Sequence, residues 1–122
     1  MNDDETTILI VEDEVITSMM LRVGLEDAGF TVCAVASSGE DAIRDADTYG
    51  PSLVLMDIRL SGEMDGFTAA QKISARHSCR FVFMSGYDLD DCRQKSRDLD
   101  PVAVFTKPVK LKELISSIRS PG

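Results

Sequence analysis

The sequence is poor in the residues that cross-link small proteins or ligate zinc. It contains one histidine and three cysteines, Cys33, Cys79 and Cys92, and no two of the cysteines form a CxxC pair. An odd number of cysteines without that spacing supports neither a disulfide framework nor a zinc site. We therefore expect the three cysteines to be reduced and mostly buried, where they act as small hydrophobic residues.

Long apolar segments are also missing from the chain. No run approaches the ~20 residues that a membrane-spanning helix requires. The first seven residues, MNDDETT, are acidic, whereas a signal peptide begins with a basic region. We therefore expect no membrane insertion and a cytoplasmic location.

Positive charge is scarce as well. Lysine and arginine together number 13, aspartate and glutamate 21, and the formal net charge is −8. Binding to DNA or RNA requires a basic surface that displaces counterions from the phosphates. Direct binding of nucleic acid is therefore not expected.

No internal repeat, low-complexity tract or linker interrupts the 122 residues. A chain of this length falls within the range of a single hydrophobic core. We therefore expect residues 1–122 to form one domain.

Short apolar runs alternate with longer segments of helical periodicity. The runs predict strands over residues 8–11, 31–36, 53–56, 81–84 and 102–106. The longer segments predict helices over 14–28, 38–48, 66–76 and 110–119, whereas 88–100 is a polar stretch with few apolar residues. Continuous apolar strands joined by helices predict an α/β fold with a parallel sheet covered by helices on both faces.

The first predicted helix carries a regular apolar stripe. Ile16, Met20, Val23 and Ala28 follow one another at helical spacing. We expect Met20 to fill the core, together with two other methionines, Met19 and Met84.

Chemically active residues follow the predicted strands at their carboxyl ends. The segment Glu12-Asp13-Glu14 follows the first strand, Asp57 the third, Ser85 the fourth and Lys107 the fifth. Open parallel sheets bind their ligands at this edge. Clustered carboxylates repel one another unless a cation lies among them, and oxygen ligands of this kind suit Mg²⁺ better than zinc or calcium. Glu14 is interpreted as a solvated loop residue.

Five motifs, taken together and in order, resemble those of the response-regulator receiver domains of two-component systems. They are Ile8 to Glu14, Val54 to Leu60, Met64-Asp65-Gly66, Met84-Ser85-Gly86 and Lys107-Pro108, and the resemblance runs from about residue 7 to residue 118. It implies a flavodoxin-like, doubly wound (βα)₅ fold with strand order 2-1-3-4-5. It also implies a phosphoacceptor that receives a phosphoryl group from a sensor histidine kinase or phosphotransfer protein. Phosphorylation would then switch binding to a downstream protein, and the chain would catalyse only its own phosphorylation and dephosphorylation.

The resemblance also assigns the acidic residues. Asp57 would be the phosphoacceptor. Mg²⁺ would be held by Asp13, Asp57 and the backbone carbonyl of Arg59, with Glu12 acting through a bound water. This assignment meets a physical need, because an anionic nucleophile must approach an anionic phosphoryl group.

Three further residues take roles by the same resemblance. Lys107 would bring its ammonium group to the phosphoryl oxygens, and Ser85 would donate a hydrogen bond from its hydroxyl group. The peptide bond before Pro108 would be cis, a conformation that is essentially confined to proline, and would direct Lys107 into the site.

Several positions depart from the usual receiver pattern. Ser61 replaces a common proline, and Val104 lies where receivers usually have the aromatic residue that rotates inward upon phosphorylation. The aromatic residue of this strand, Phe105, is one place later and should face the opposite side of the sheet. Arg59 and Tyr87 occupy the two positions that flank the hydrolytic water, and we expect them to affect the lifetime of the acyl phosphate. The segment 83–87 is similar to the signature of the FATGUY subgroup, which also lacks the usual aromatic switch.

Three alternatives fit parts of this pattern. A haloacid-dehalogenase-type phosphatase also uses a strand-end aspartate with Mg²⁺, but it needs a second aspartate two residues later, where this chain has Arg59. A flavodoxin-like cofactor binder needs a phosphate loop after the first strand, where this chain has acidic residues. A pseudo-receiver without phosphorylation is disfavoured because Asp13, Asp57 and Lys107 are all present.

Overall fold

The structure is a computed structural model that describes residues 6–60, 62–86 and 89–119. Within these ranges five strands alternate with five α-helices. The strands are β1 (Thr7–Val11), β2 (Thr31–Ala36), β3 (Leu53–Asp57), β4 (Arg80–Ser85) and β5 (Ala103–Thr106). The helices are α1 (Val15–Asp27), α2 (Gly39–Tyr49), α3 (Gly66–Arg76), α4 (Leu89–Ser96) and α5 (Leu111–Arg119). None of these helices has the length and apolar character required to cross a membrane.

The five strands form one parallel sheet in the order β2-β1-β3-β4-β5. This order confirms the predicted doubly wound α/β fold. The polar stretch 88–100, which has few apolar residues for a helix to bury, contains helix α4, followed by a 3₁₀ turn over Arg97–Leu99. Among the side chains of that helix that the structure describes, Cys92 and Ser96 are buried.

Helices cover both faces of the sheet, and the strands alternate between two core layers. Leu9 and Val11 of β1 face the layer formed with α2, α3 and α4, whereas Ile8 and Ile10 face the layer formed with α1 and α5. Both sides of each inner strand are therefore buried. This explains why the strands are continuous apolar runs rather than alternating ones.

Helix α1 does not bury the stripe that its sequence predicted. Ile16, Met20 and Val23 are 75%, 69% and 57% exposed, whereas Leu21 and Leu25 face the core. The helix contains two apolar stripes, and spacing alone does not show which of them meets the sheet. The prediction that Met19 and Met20 fill the core is therefore wrong, although Met84 is buried as expected.

The exposed stripe of α1 is a continuous surface, which we call the α1 apolar face. It is formed by Val15, Ile16, Met19, Met20 and Val23. The buried side of the helix is fixed by its neighbour α5. A Cβ atom on Gly24 would overlap the side chain of Leu111, so a larger residue at position 24 would require that side chain to shift.

The three cysteines are not paired in disulfide bonds. Cys92 is buried, and Cys33 and Cys79 are half-buried. Cys33 lies at an irregularity in the pairing of β1 with β2, and its thiol donates a hydrogen bond to the Ile8 carbonyl at 3.5 Å. Burial raises the pKa of the Cys33 and Cys79 thiols.

The start of helix α3 packs directly against the end of β3. Asp65 caps the helix, because its Oδ1 accepts a hydrogen bond from the Thr68 N–H at 2.8 Å. The N–H of Gly66 donates to the Ile58 carbonyl at 2.8 Å. A Cβ atom on Gly66 would overlap the backbone oxygen of Asp57 and lie 2.9 Å from the Ile58 Cα. Position 66 therefore has room only for glycine.

Replacing Gly66 with alanine should destabilise the protein. Alanine is the better helix former, by about 0.5–1 kcal/mol, so helix propensity alone predicts the opposite sign. The overlap with the β3 backbone should cost about 1–3 kcal/mol and outweigh that gain. The free energy of unfolding in urea measures the difference. Ser74→Ala, at an exposed position of the same helix, should be neutral or slightly stabilising; a Gly66→Ala variant as stable as this control would contradict the packing argument.

Candidate functional site

Three carboxylates meet at the carboxyl edge of the sheet. Val11 of β1 pairs with Met56 of β3, so the next residues of the two strands, Glu12 and Asp57, lie side by side. Each is only 2% exposed. One carboxylate oxygen from each of Glu12, Asp13 and Asp57 lies within 4.8 Å of the others. The pairing of neighbouring parallel strands therefore brings together residues that are distant in sequence.

Lys107 extends into this cluster from the end of β5. Its Nζ lies 3.0 Å from Asp57 Oδ2 and 2.8 Å from Glu12 Oε1. The Lys107 N–H donates to the Ser85 carbonyl at 2.7 Å, which ties the lysine backbone to the end of β4. The peptide bond between Lys107 and Pro108 is cis. One ammonium group is thus shared by two buried carboxylates from different strands.

Burial and charge shift the protonation of this group in two directions. Burial raises the pKa of Glu12 to about 7, even though Lys107 opposes the shift. Burial alone would lower the pKa of Lys107, but its hydrogen bonds and ion pairs with Glu12 and Asp57 raise it above its ordinary value. The lysine therefore stays positively charged at neutral pH, whereas Glu12 takes up a proton more readily than an exposed glutamate does.

The donor set fits a small divalent cation. Three carboxylates face one ammonium group, so with all three ionised the cluster carries two uncompensated negative charges. Glu12 Oε1 is buried, and apart from its ion pair with Lys107 it accepts no hydrogen bond from the described residues. A buried carboxylate oxygen whose one partner is a shared ammonium group can still ligate a cation, and hard oxygen donors are the ligands that Mg²⁺ prefers. The residues present therefore match the expected magnesium site.

The loop after β3 borders the cluster. The Arg59 N–H donates to Asp57 Oδ1 at 3.2 Å, while Lys107 contacts the other carboxylate oxygen, Oδ2. Each oxygen of Asp57 therefore has its own partner, which fixes the orientation of the carboxylate. The Arg59 side chain is exposed.

Ser85, the last residue of β4, is 4% exposed and lies one position beyond the residue that pairs with Asp57.

Val104 packs in the layer of α2, α3 and α4, whereas Phe105 packs in the layer of α1 and α5, so the two side chains face opposite sides of the sheet as strand alternation predicts. Ser61 and Tyr87, two further residues that the sequence singled out, lie outside the described residues.

A cavity of about 470 Å³ opens above the cluster. Its lining residues are Asp13, Glu14, Asp57, Arg59, Gly86 and Lys107. Glu14 was interpreted as a solvated loop residue, and its side chain is indeed exposed, yet its Oε1 lies 3.5 Å from Lys107 Nζ. In the sequence, the run of three acids at the end of one strand, together with a lysine at the end of another, was the signal that Glu14 could lie near Lys107.

Comparisons with known proteins agree with this geometry. Residues 8–119 match the family model described as the response regulator receiver domain. Among solved structures, the signal receiver domain of a modulated diguanylate cyclase from Desulfovibrio desulfuricans G20 is 32% identical, with a TM-score of 0.83 over 92% of this chain and 89% of that one. The N-terminal domain of a response regulator from Carboxydothermus hydrogenoformans is 29% identical, with a TM-score of 0.82 over 93% and 90% of the two chains.

Curated relatives include the transcriptional regulatory protein PdtaR of Mycobacterium tuberculosis, which is 30% identical over 91% of this chain and 54% of its own length. The transcriptional activator protein IrlR of Burkholderia pseudomallei is 34% identical over 93% of this chain and 48% of its own length. The chain thus spans about half the length of these relatives. With the parallel sheet, the acidic edge and the family match in agreement, the chain belongs to the response regulator receiver domains of two-component systems.

Proposed function

We propose that Asp57 accepts a phosphoryl group from a sensor histidine kinase or a phosphotransfer protein. The observation that supports this most strongly is the setting of its carboxylate. Asp57 is buried at the floor of an open cavity, it is paired with Lys107, and two further acids adjoin it. Structural ion pairs do not need an open cavity above the carboxylate, whereas a nucleophile does.

The chain's own residues would act as follows. A carboxylate oxygen of Asp57 forms a bond to phosphorus while the bond between phosphorus and the donor imidazole breaks. The electron pair of that bond returns to the imidazole nitrogen. Lys107 meets the negative charge on the phosphoryl oxygens, and the Ser85 hydroxyl donates a hydrogen bond to one of them. The Arg59 N–H holds the Asp57 carboxylate in a fixed orientation during the approach.

Glu12, Asp13, Asp57 and the backbone carbonyl of Arg59 would hold Mg²⁺, with Glu12 contributing through a water molecule. The ion supplies positive charge that offsets the repulsion between the carboxylate and the phosphoryl group. Residues 1–122 would form one receiver domain that works in the cytoplasm. The domain catalyses only its own phosphorylation and dephosphorylation, and Arg59, Tyr87 and Phe105 are candidates for tuning the lifetime or the switch.

The alternative, a haloacid-dehalogenase-type phosphatase, requires an acidic residue two positions after the nucleophile. Arg59 occupies that position, and its side chain carries the wrong charge for a general acid of that kind. The family match assigns the chain to receivers instead.

The first experiment tests the phosphoacceptor. Incubation with acetyl phosphate and Mg²⁺ should add the mass of one phosphoryl group to the intact protein. EDTA should abolish the gain, and so should Asp57→Asn, which keeps the shape of the side chain but removes the nucleophile. Asp27→Asn, at an exposed position of α1, should be labelled like the wild type. Labelling of the Asp57→Asn variant at the wild-type rate would exclude Asp57 as the acceptor.

The phosphodonor protein would dock on the α1 apolar face. This face begins one residue after Glu14, which lines the cavity above Asp57, so it borders the place where a protein would deliver a phosphoryl group. Exposed apolar surfaces of this kind mark sites of protein contact. A second, mostly apolar cavity of about 330 Å³ adjoins the face, with Met20, Leu21, Met84 and Val109 among its lining residues.

Polar substitutions on this face should slow phosphorylation by a protein donor without changing phosphorylation by a small-molecule donor. The donor is a phosphorylated sensor kinase that transfers its phosphoryl group to the wild-type chain. Ile16→Ser should lower kcat/KM for this transfer by about tenfold, because the variant loses one anchor residue of the interface. Labelling by acetyl phosphate should be unchanged, because that donor needs no docking surface. Tyr49→Ser, which removes an exposed aromatic side chain from α2, is the matched control. Equal losses in both variants, or none in either, would rule out the α1 apolar face as the docking surface.

A further inference from the structure

Lys107 has a third carboxylate neighbour that the proposed phosphoryl transfer does not use. Glu14 Oε1 lies 3.5 Å from Lys107 Nζ, farther than the oxygens of Glu12 and Asp57. The other two acids are buried, whereas the Glu14 side chain is 66% exposed. Of the three, Glu14 is therefore the one that an incoming anion meets first.

Hydrogen bonds fix the backbone of Glu14, while its side chain remains able to contact Lys107. Its N–H donates to Glu12 Oε2 at 3.1 Å, and its carbonyl accepts from the Ser18 N–H at 3.0 Å. Glu14 occupies the N-cap position of α1, where serine, threonine, aspartate or asparagine is preferred because the side chain can then bond to the helix backbone. The Glu14 side chain makes no such cap and contacts Lys107 instead.

Glu14 and Lys107 also share a structural position. Both residues line the cavity above Asp57, and both line the apolar cavity beside the α1 apolar face. The pair therefore forms the wall between the place where the phosphoryl group would arrive and the place where a protein donor would dock.

We propose that Glu14 is a positioning residue that competes with the phosphoryl group for Lys107 and repels small anionic phosphodonors. This inference rests on the proposed phosphorylation of Asp57. The Glu14 carboxylate draws Lys107 toward the outer wall of the cavity, and it adds a negative charge to the cavity mouth. Removing that charge frees the ammonium group for the phosphoryl oxygens and lowers the repulsion of the donor.

The size of the effect follows from the geometry. An exposed pair separated by 3.5 Å is weak, and its loss should change a rate by about two- to fivefold. Added salt screens charges at exposed positions, so the effect should shrink as ionic strength rises. Glu12 and Asp57 still hold Lys107 in the variants, which keeps the site assembled.

The test measures the rate of labelling by acetyl phosphate with Mg²⁺ at low and high salt. Glu14→Gln should be labelled about two- to fivefold faster than the wild type at low salt. Glu14→Asp and Glu14→Asn form a second pair, in which both side chains can cap the helix and only the first carries charge. The Asn variant should be labelled faster than the wild type, and the labelling rate of the Asp variant should return toward the wild-type rate. Glu26→Gln, which removes one negative charge from an exposed position of the same helix, should behave like the wild type.

Each outcome decides the question. Fast labelling of the Gln and Asn variants that falls toward the control at high salt supports the proposal. Rates of both variants equal to that of Glu26→Gln would overturn it, and so would an Asp variant as fast as the Asn variant, because the carboxylate would then have no role. If the wild-type chain takes up no phosphoryl group, the proposed function itself fails, and this inference fails with it.

Discussion

Lys107 places a single ammonium group within 3.5 Å of three carboxylates, and two of these are almost fully buried. Buried charges are tolerated only when they are paired, so the position of this ammonium group determines whether Glu12 and Asp57 can both be buried. The pairing is unequal, because one positive charge faces several negative ones. The site is therefore held together and yet is left short of positive charge. A divalent cation can supply the missing positive charge. An arriving phosphoryl group would compete with the carboxylates for the ammonium group of Lys107.

The rest of the fold serves to hold these groups at one edge. The pairing of β1 with β3 places Glu12 beside Asp57, and the hydrogen bond from the Lys107 N–H to Ser85 ties the lysine to β4. Gly66 lets helix α3 begin against the backbone of Asp57, so the backbone that carries this carboxylate is supported by the helix as well. Rigid strands and a tightly packed helix start therefore position a site whose charges are poorly balanced.

Much of this arrangement could be predicted from the sequence. The five strands were located within one or two residues, because strands buried on both faces are continuous apolar runs with clear ends. The acids and the lysine could be grouped because the carboxyl ends of parallel strands share one edge. These inferences depend on local patterns and on topology, both of which are present in a single sequence.

The rest could not be predicted, for identifiable physical reasons. Helix α1 has apolar residues on two faces, and only the packing of Leu21 and Leu25 in the folded chain shows which face is buried. Helix α4 has few apolar residues, and the described side chains that it buries, Cys92 and Ser96, do not form an apolar stripe that the sequence would show. The contact of Glu14 with Lys107 spans 93 positions in the chain and depends on side-chain reach, so the run of acids after β1 indicated the shared edge but not this contact.

The central claim is that Lys107 exchanges carboxylate partners for a phosphoryl group. A crystal structure with Mg²⁺ and beryllofluoride, a stable mimic of the phosphoryl group, tests it most directly. The account predicts that Lys107 Nζ contacts a fluoride and has moved away from Glu12 and Glu14, with Asp57 bonded to beryllium. A complex in which Asp57 carries the mimic while Lys107 keeps its contacts with Glu12 and Glu14 would contradict the account.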